Sequence, residues 1–162
     1  MAQTVDFFRS RLDAMIDLRH PLAVLATRLP WSRLESELAP IWRRQARDGV
    51  LPEGEDWFGS GGVSHAGRSR LPIRLMCSLL YLKHAFNLSD EETCERWAEN
   101  VVWQYFSGMD YYEPRVPCDA TQIGRFRSAI GEAGMERILA ATIDTAVASK
   151  AIKPTEFERI IV

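Results

Sequence analysis

Apolar positions recur at helical spacing most densely between Leu71 and Gly108. Leu75, Leu79, Leu82 and Phe86, with Met76 and Leu80 beside them, form a stripe wide enough to bury one side of a helix. Pro72 stands at its first turn, where a missing N–H costs nothing. Asn87-Leu88-Ser89 breaks the pattern, and Ser89 followed by Glu92 has the spacing of a capping box opening a second helix. There Cys94, Trp97, Ala98 and Val101 line one face, and Asp90, Glu91, Glu95 and Glu99 line the other. Two helices so closely joined are a helix-turn-helix or an αα-hairpin, and spacing leaves both open.

The same pattern extends through the chain. Val5, Phe8, Leu12, Met15 and Ile16 predict a helix over 5–18, closed by His20-Pro21. Leu22–Leu29 is a short second helix. Trp31–Ile41 is a third, with Ser32 as cap, Glu35 as its return partner, and Leu34, Leu38, Ile41 and Trp42 as its stripe. Residues 101–107 carry Trp103, Tyr105 and Phe106, which read as core or as a stacking platform for bases. After a loop at 109–117, Asp119 and Gln122 have the spacing of a cap and its return partner. Ile123, Phe126 and Ile130 then bury one side of a short helix. Gly131 and Gly134 bracket a break. Met135–Lys150 follows as an amphipathic helix with Met135, Ile138, Leu139, Thr142, Ile143, Ala146 and Val147 inward. After Pro154, FERIIV switches to a β-like pattern that would pair with a sheet or with its copy in a dimer. The expected fold class is all-α: a multi-helix bundle with helix-turn-helix-like elements, a long Gly-rich loop and a short C-terminal strand. Its expected parts are an N-terminal helical segment (1–44), a loop or linker (45–70), a helical core (71–153) and the strand (154–162).

Composition narrows the chemistry. The 162 residues suit about one domain, and 46% hydrophobic with 26% charged residues is ordinary for a soluble globular chain. No apolar run is long enough to span a membrane, and the charged N-terminus lacks a signal-peptide core, so a cytoplasmic location without membrane partners is expected. Three cysteines without a CxxC pair argue against a disulfide framework. Scattered His20, His65 and His84 offer no metal-ligand spacing. A net charge of −2 excludes nonspecific coating of nucleic acid, so any nucleic-acid contact must be local.

Two segments supply such contacts. Residues 45–70 hold six glycines, one proline and the acids Glu53, Glu55 and Asp56, and lead into Arg68, Arg70 and Arg74. This is a solvated hinge or a basic arm for a phosphate backbone. Its glycines lack the strand and the GKS/GKT of a phosphate-binding loop. The second is the outer face of the helix near Asp119, where Thr121, Arg125 and Ser128 recur at i, i+4 and i+7, flanked by Gln122 and Arg127. Gln reads adenine and Arg reads guanine in a major groove, whereas a solvated polar face has the same composition. The four carboxylates of the 90–99 helix would be repelled by phosphates, which moves the reading role to this later helix. Asp110, Glu113 and Asp119 are poor candidates for two-metal chemistry, which needs rigidly held carboxylates around ions about 4 Å apart.

Three stretches, His20–Trp31, Leu71–Gly108 and Pro117–Gly134, resemble the N-terminal (InsH-type) region of bacterial insertion-sequence transposases of the insertion-sequence-five group. The resemblance implies a DNA-recognition and assembly module that binds terminal inverted repeats in double-stranded DNA. It also implies a following ribonuclease-H-like domain whose three carboxylates bind divalent metals. The segment resembling that domain's first strand ends at Val162, before the first of those carboxylates would occur. The expectation is therefore a chain without catalytic residues or cofactor of its own. Its partners would be DNA and a second copy or the full-length transposase. The alternative is a protein-interaction module that regulates the full-length enzyme.

Overall fold

A computed structural model describes residues 9–43 and 71–149. The expected Gly-rich loop, with Arg68 and Arg70, and the expected C-terminal strand lie outside the described residues.

The fold is built on α4 (Ile73–Phe86), in which Leu75, Met76, Cys77, Ser78, Leu79, Leu80 and Leu82 are all buried. A helix apolar nearly all round must be enclosed, and α4 is covered by α3 (Trp31–Arg43), α5 (Asp90–Glu99) and α7 (Thr121–Ala148). The α4–α5 turn is written locally. Asn87 adopts the left-handed conformation (φ 51°, ψ 56°), and the Leu88 N–H donates to Lys83 O at 2.9 Å. That six-to-one bond is a Schellman stop, with Leu88 packed on the core beyond it. The Ser89–Glu92 capping box then forms in both directions, at 3.1 and 2.9 Å. Cys94, Trp97 and Ala98 are buried as expected, while Val101 instead begins α6 (Val101–Phe106). The Asn100 side chain caps α6 by accepting from the Val102 and Trp103 N–H groups.

The aromatic run of α6 is core. Phe106 is fully buried, and its ring meets Trp31 edge-on at 5.4 Å and Tyr81 at 5.3 Å. α6 also packs against α2 (Pro21–Arg28) and α1 (Leu12–Met15). His20 caps α2, its Nδ1 accepting from the Leu22 N–H at 3.1 Å.

Five expectations fail for tertiary reasons. The helix over 5–18 reduces, among the described residues, to Leu12–Met15 flanked by extended Arg11 and Ile16. Arg11 is instead drawn into an antiparallel bridge with Tyr111, and the Leu12 N–H donates to Asp110 O. α3 begins at Trp31, one residue before the expected Ser32 cap, because the Trp31 indole N–H is anchored on Ala26 O at 2.7 Å. Phe86 is 46% exposed, at the end of α4 with Trp103 against its ring. Leu139, read as inward, is 60% exposed. The break at Gly131 (φ 60°, ψ −166°) rephases α7, so the small residues Gly134, Ala141 and Thr145 are the buried ones. Gly134 itself is helical, pressed against Ile130.

Candidate nucleic-acid interface

The first half of α7, ahead of Gly131, is seated by Ile123, Phe126 and Ile130, all buried, with Trp42 edge-on to Phe126 at 5.0 Å. At about 100° per residue, Thr121, Arg125 and Ser128 fall opposite that stripe, and all three are exposed. Gln122 and Arg127 flank it on the two borders, Gln122 half-buried and Arg127 exposed. Thr121, Arg125 and Ser128 thus share the outer side of one half-helix, while Gln122 and Arg127 lie on opposite borders, nearer the buried stripe.

Its start is fixed by Asp119, one Oδ1 accepting from the Thr121 N–H at 2.9 Å and from the Thr121 hydroxyl at 2.6 Å. The helix N-cap is Ala120, which makes no side-chain cap bond, so Asp119 is not the cap its spacing predicted; it holds the first turn through Thr121 and through a backbone bond from the Gln122 N–H to Asp119 O. A second acid approaches from α5. Asp90 Oδ2 stands 4.0 Å from where a Cβ on Gly124 would lie, and Asp90 is itself paired with Lys83. The lysine offsets that carboxylate's charge.

Most described arginines are committed to partners inside the protein. Arg11 pairs with Asp110, Arg19 with Asp17, Arg33 with Glu37, and Arg115 with Glu113. Arg9 donates to Tyr112 O and Arg137 to Glu37 O. Arg125 and Arg127 make no such ion pair or hydrogen bond among the described residues. Arg74 does not join them. Its guanidinium lies 4.6 Å from the Trp31 ring centroid and donates to Phe106 O at 3.2 and 3.4 Å, and burial pulls its pKa down. It closes the C-terminal end of α6, and Gly108 (φ +90°) leaves it room: a Cβ there would sit 2.9 Å from its side chain.

Gln104 went unnoticed in the sequence. It is fully buried, and its amide N–H groups donate to Glu113 O at 2.7 Å and Trp97 O at 3.1 Å, while its oxygen accepts from the Glu113 N–H at 2.8 Å. Tyr112 adds a bond from its hydroxyl to Ala98 O. Together they clasp the 109–119 segment onto α5 and α6 and so set where α7 begins. A polar residue inside the run VVWQYFSG was the one available signal. Among the described residues no three His, Cys, Asp or Glu side chains gather as a metal site requires.

Residues 56–129 match the model of the family described as Transposase domain (DUF772), a span running from ahead of α4 into the first half of α7. The chain is 35% identical over 155 residues to a Rhizobium meliloti protein described as "Uncharacterized protein ORF8 in nfe locus". That alignment covers 96% of this chain and 65% of the relative, so the chain spans a little under two thirds of that protein's length. No solved structure matches. The helical centre of the chain is thus similar to that transposase domain. No described helix is long and apolar enough to cross a membrane.

Proposed function

We propose that this chain is the DNA-recognition and assembly module of a transposase, reading terminal inverted repeats with the outer face of α7 ahead of Gly131. The reading rests on one observation: within the span that matches the transposase domain, Arg125 and Arg127, which have no ion pair or hydrogen bond among the described residues, stand on a helix with Thr121 and Ser128, its other side locked into the core. A short rigid helix with Thr, Gln and Arg outward fits a major groove, where Arg pairs with guanine and Gln with adenine. Arg68 and Arg70, outside the described residues, would supply phosphate contacts. Arg74, already held by Phe106 and Trp31, would act through the packing of α4 and α6. Strand cutting is assigned to carboxylates elsewhere in a complete transposase, together with their divalent metal. No catalytic role is assigned to the residues of this chain.

The test is fluorescence anisotropy with a duplex carrying the terminal repeat of the element that encodes the chain. Binding should exceed that to a scrambled duplex, and Arg125→Ala should lower the discrimination by about 1–3 kcal/mol. Equal binding to both duplexes by the wild type would sink the proposal.

The alternative, an interaction module that pairs with full-length transposase, is favoured by Leu139, 60% exposed on the second half of α7. A Leu139→Glu variant that keeps the wild-type sedimentation behaviour, alone and mixed with the full-length enzyme, would remove that support.

A further inference from the structure

Beyond Gly131, α7 is apolar on two sides. One side is closed. Gly134, Ala141 and Thr145 are buried, and Met135 and Ile138 pack against the core. The flank beside them is tied to α3, where Arg137 donates to Glu37 O at 3.0 Å and Asp144 lies 3.8 Å from the Arg33 guanidinium. At about 100° per residue, Leu139, Ile143 and Val147 fall opposite the buried residues, with Ala140 and Ala146 on the two borders. Leu139 and Ala140 are exposed, and Ile143, Ala146 and Val147 are half-buried. A helix apolar all round is ordinarily enclosed all round. Glu132 and Glu136, both exposed, stand on the same line ahead of this stripe. The same spacing continued along the sequence reaches Lys150, outside the described residues.

We propose that this stripe pairs with its own copy in a second chain, antiparallel, about a two-fold axis at Ile143. The pairing rests on the interaction reading of Leu139 and gives it one partner and one geometry. It does not rest on the DNA reading. A two-fold contact needs a surface that complements itself on a half turn, and this one does. With Ile143 against its copy, Leu139 meets the Val147 of the second chain and Ala140 meets its Ala146. A large residue then faces a large one, and the alanines on both borders let the two backbones approach closely. The ends match in charge. Glu136 of each chain comes to Lys150 of the other, whereas a parallel pair would set Glu132 and Glu136 against their own copies. That complementarity selects a second copy, and selects its direction. The contact is short, so the dimer is reversible and depends on concentration.

The experiment uses the full chain alone. Ile143→Cys, Leu139→Cys and Val147→Cys variants are oxidised with copper phenanthroline, and the products are mapped by peptide mass, which separates any new bond from Cys77, Cys94 and Cys118. Ile143→Cys should give a covalent dimer joined at position 143. Leu139→Cys and Val147→Cys should cross-link poorly alone and readily when mixed, 139 to 147. In sedimentation, the wild type should form a dimer that dissociates on dilution. Glu136→Lys and Lys150→Glu should each weaken that dimer several-fold, and both in one chain should restore it, a recovery that misfolding does not produce. A wild type that stays monomeric at every concentration would overturn the proposal, as it would if residues 150–162 of the same chain covered the stripe. Leu139→Cys joining to its own copy as efficiently as Ile143→Cys would also overturn it, because that is the mark of parallel pairing. A monomeric chain that still binds the full-length enzyme would sink this pairing and keep the interaction reading. Repeat binding by the Thr121–Ser128 face is read by anisotropy, so the two ideas fail separately.

Discussion

Gln104 shows how much a single side chain decides here. Its amide makes donor and acceptor bonds to the Glu113 backbone from a fully buried position, so removing it strands polar groups that water cannot reach. Gln104→Ala should cost about 3 kcal/mol, read as a fall in the urea midpoint at constant m value. Ser78 is the opposite case. Its hydroxyl is buried in α4 with no hydrogen-bond partner among the described residues, and Ser78→Ala should raise stability by about 1 kcal/mol. A Ser78→Ala protein that unfolds more readily would show that the hydroxyl does make a bond. Neither role was legible in the sequence, because burial of a polar group depends on which segments close over it. The same holds for Arg74. Its sequence neighbours suggest a basic arm, and only the approach of Trp31 and of the α6 carboxyl end reveals its internal partners.

At the scale of elements, starts and stops follow local chemistry. The Ser89–Glu92 box was legible from spacing alone because both of its bonds close within four residues. Ser89→Ala should cost about 1 kcal/mol. The box also carries a pH signature. The Ser89 backbone N–H holds the Glu92 carboxyl below its usual 4.5, and the Arg115 guanidinium does the same for Glu113. A folded-state pKa below the unfolded one stabilises fully above about pH 4.5, and that contribution is lost as pH falls through the folded value. The melting temperature should therefore fall below about pH 4.5, and less steeply in a Glu92→Gln/Glu113→Gln protein. The break in α7 is a second local device. Gly131 has a backbone that L side chains rarely adopt, so Gly131→Ala should destabilise by about 1–3 kcal/mol although nothing lies within 4 Å of the new methyl. Gly134 fails differently: its Cβ would lie 2.4 Å from Ile130 Cβ. Gly134→Ala should cost about 2 kcal/mol by overpacking, and an added Ile130→Val should recover little, since the clash is with Cβ.

In the whole molecule, α4 is the common wall on which α3, α5 and α7 are laid. Leu79, fully buried at its centre, should cost about 2–5 kcal/mol on change to Ala and should loosen all three contacts in one cooperative transition. The net charge of −2 leaves no general attraction for DNA, so the proposed binding is carried by few cations. If Arg68 and Arg70 each neutralise one phosphate, replacing both with Ala should flatten the slope of log affinity against log salt by about 2.

What the sequence determined by itself is what depends on near neighbours along the chain. It set the helical class, the α4 and α5 stripes, the capping box, the glycine break at 131 and the Thr121–Arg125–Ser128 periodicity, because turns and caps are satisfied within a few residues. The tertiary structure decided what depends on distant contacts. It drew Arg11 out of a helix to meet Tyr111, turned Leu139 outward after the break, and buried Gln104 as a clasp. Among the described residues it also left Arg125 and Arg127 without an ion pair or hydrogen bond while occupying most of the other described arginines. The physical reason is the same in each case. A polar group takes whichever partner is nearest once the chain has closed, and that partner is often about a hundred residues away, as Asp110 is from Arg11.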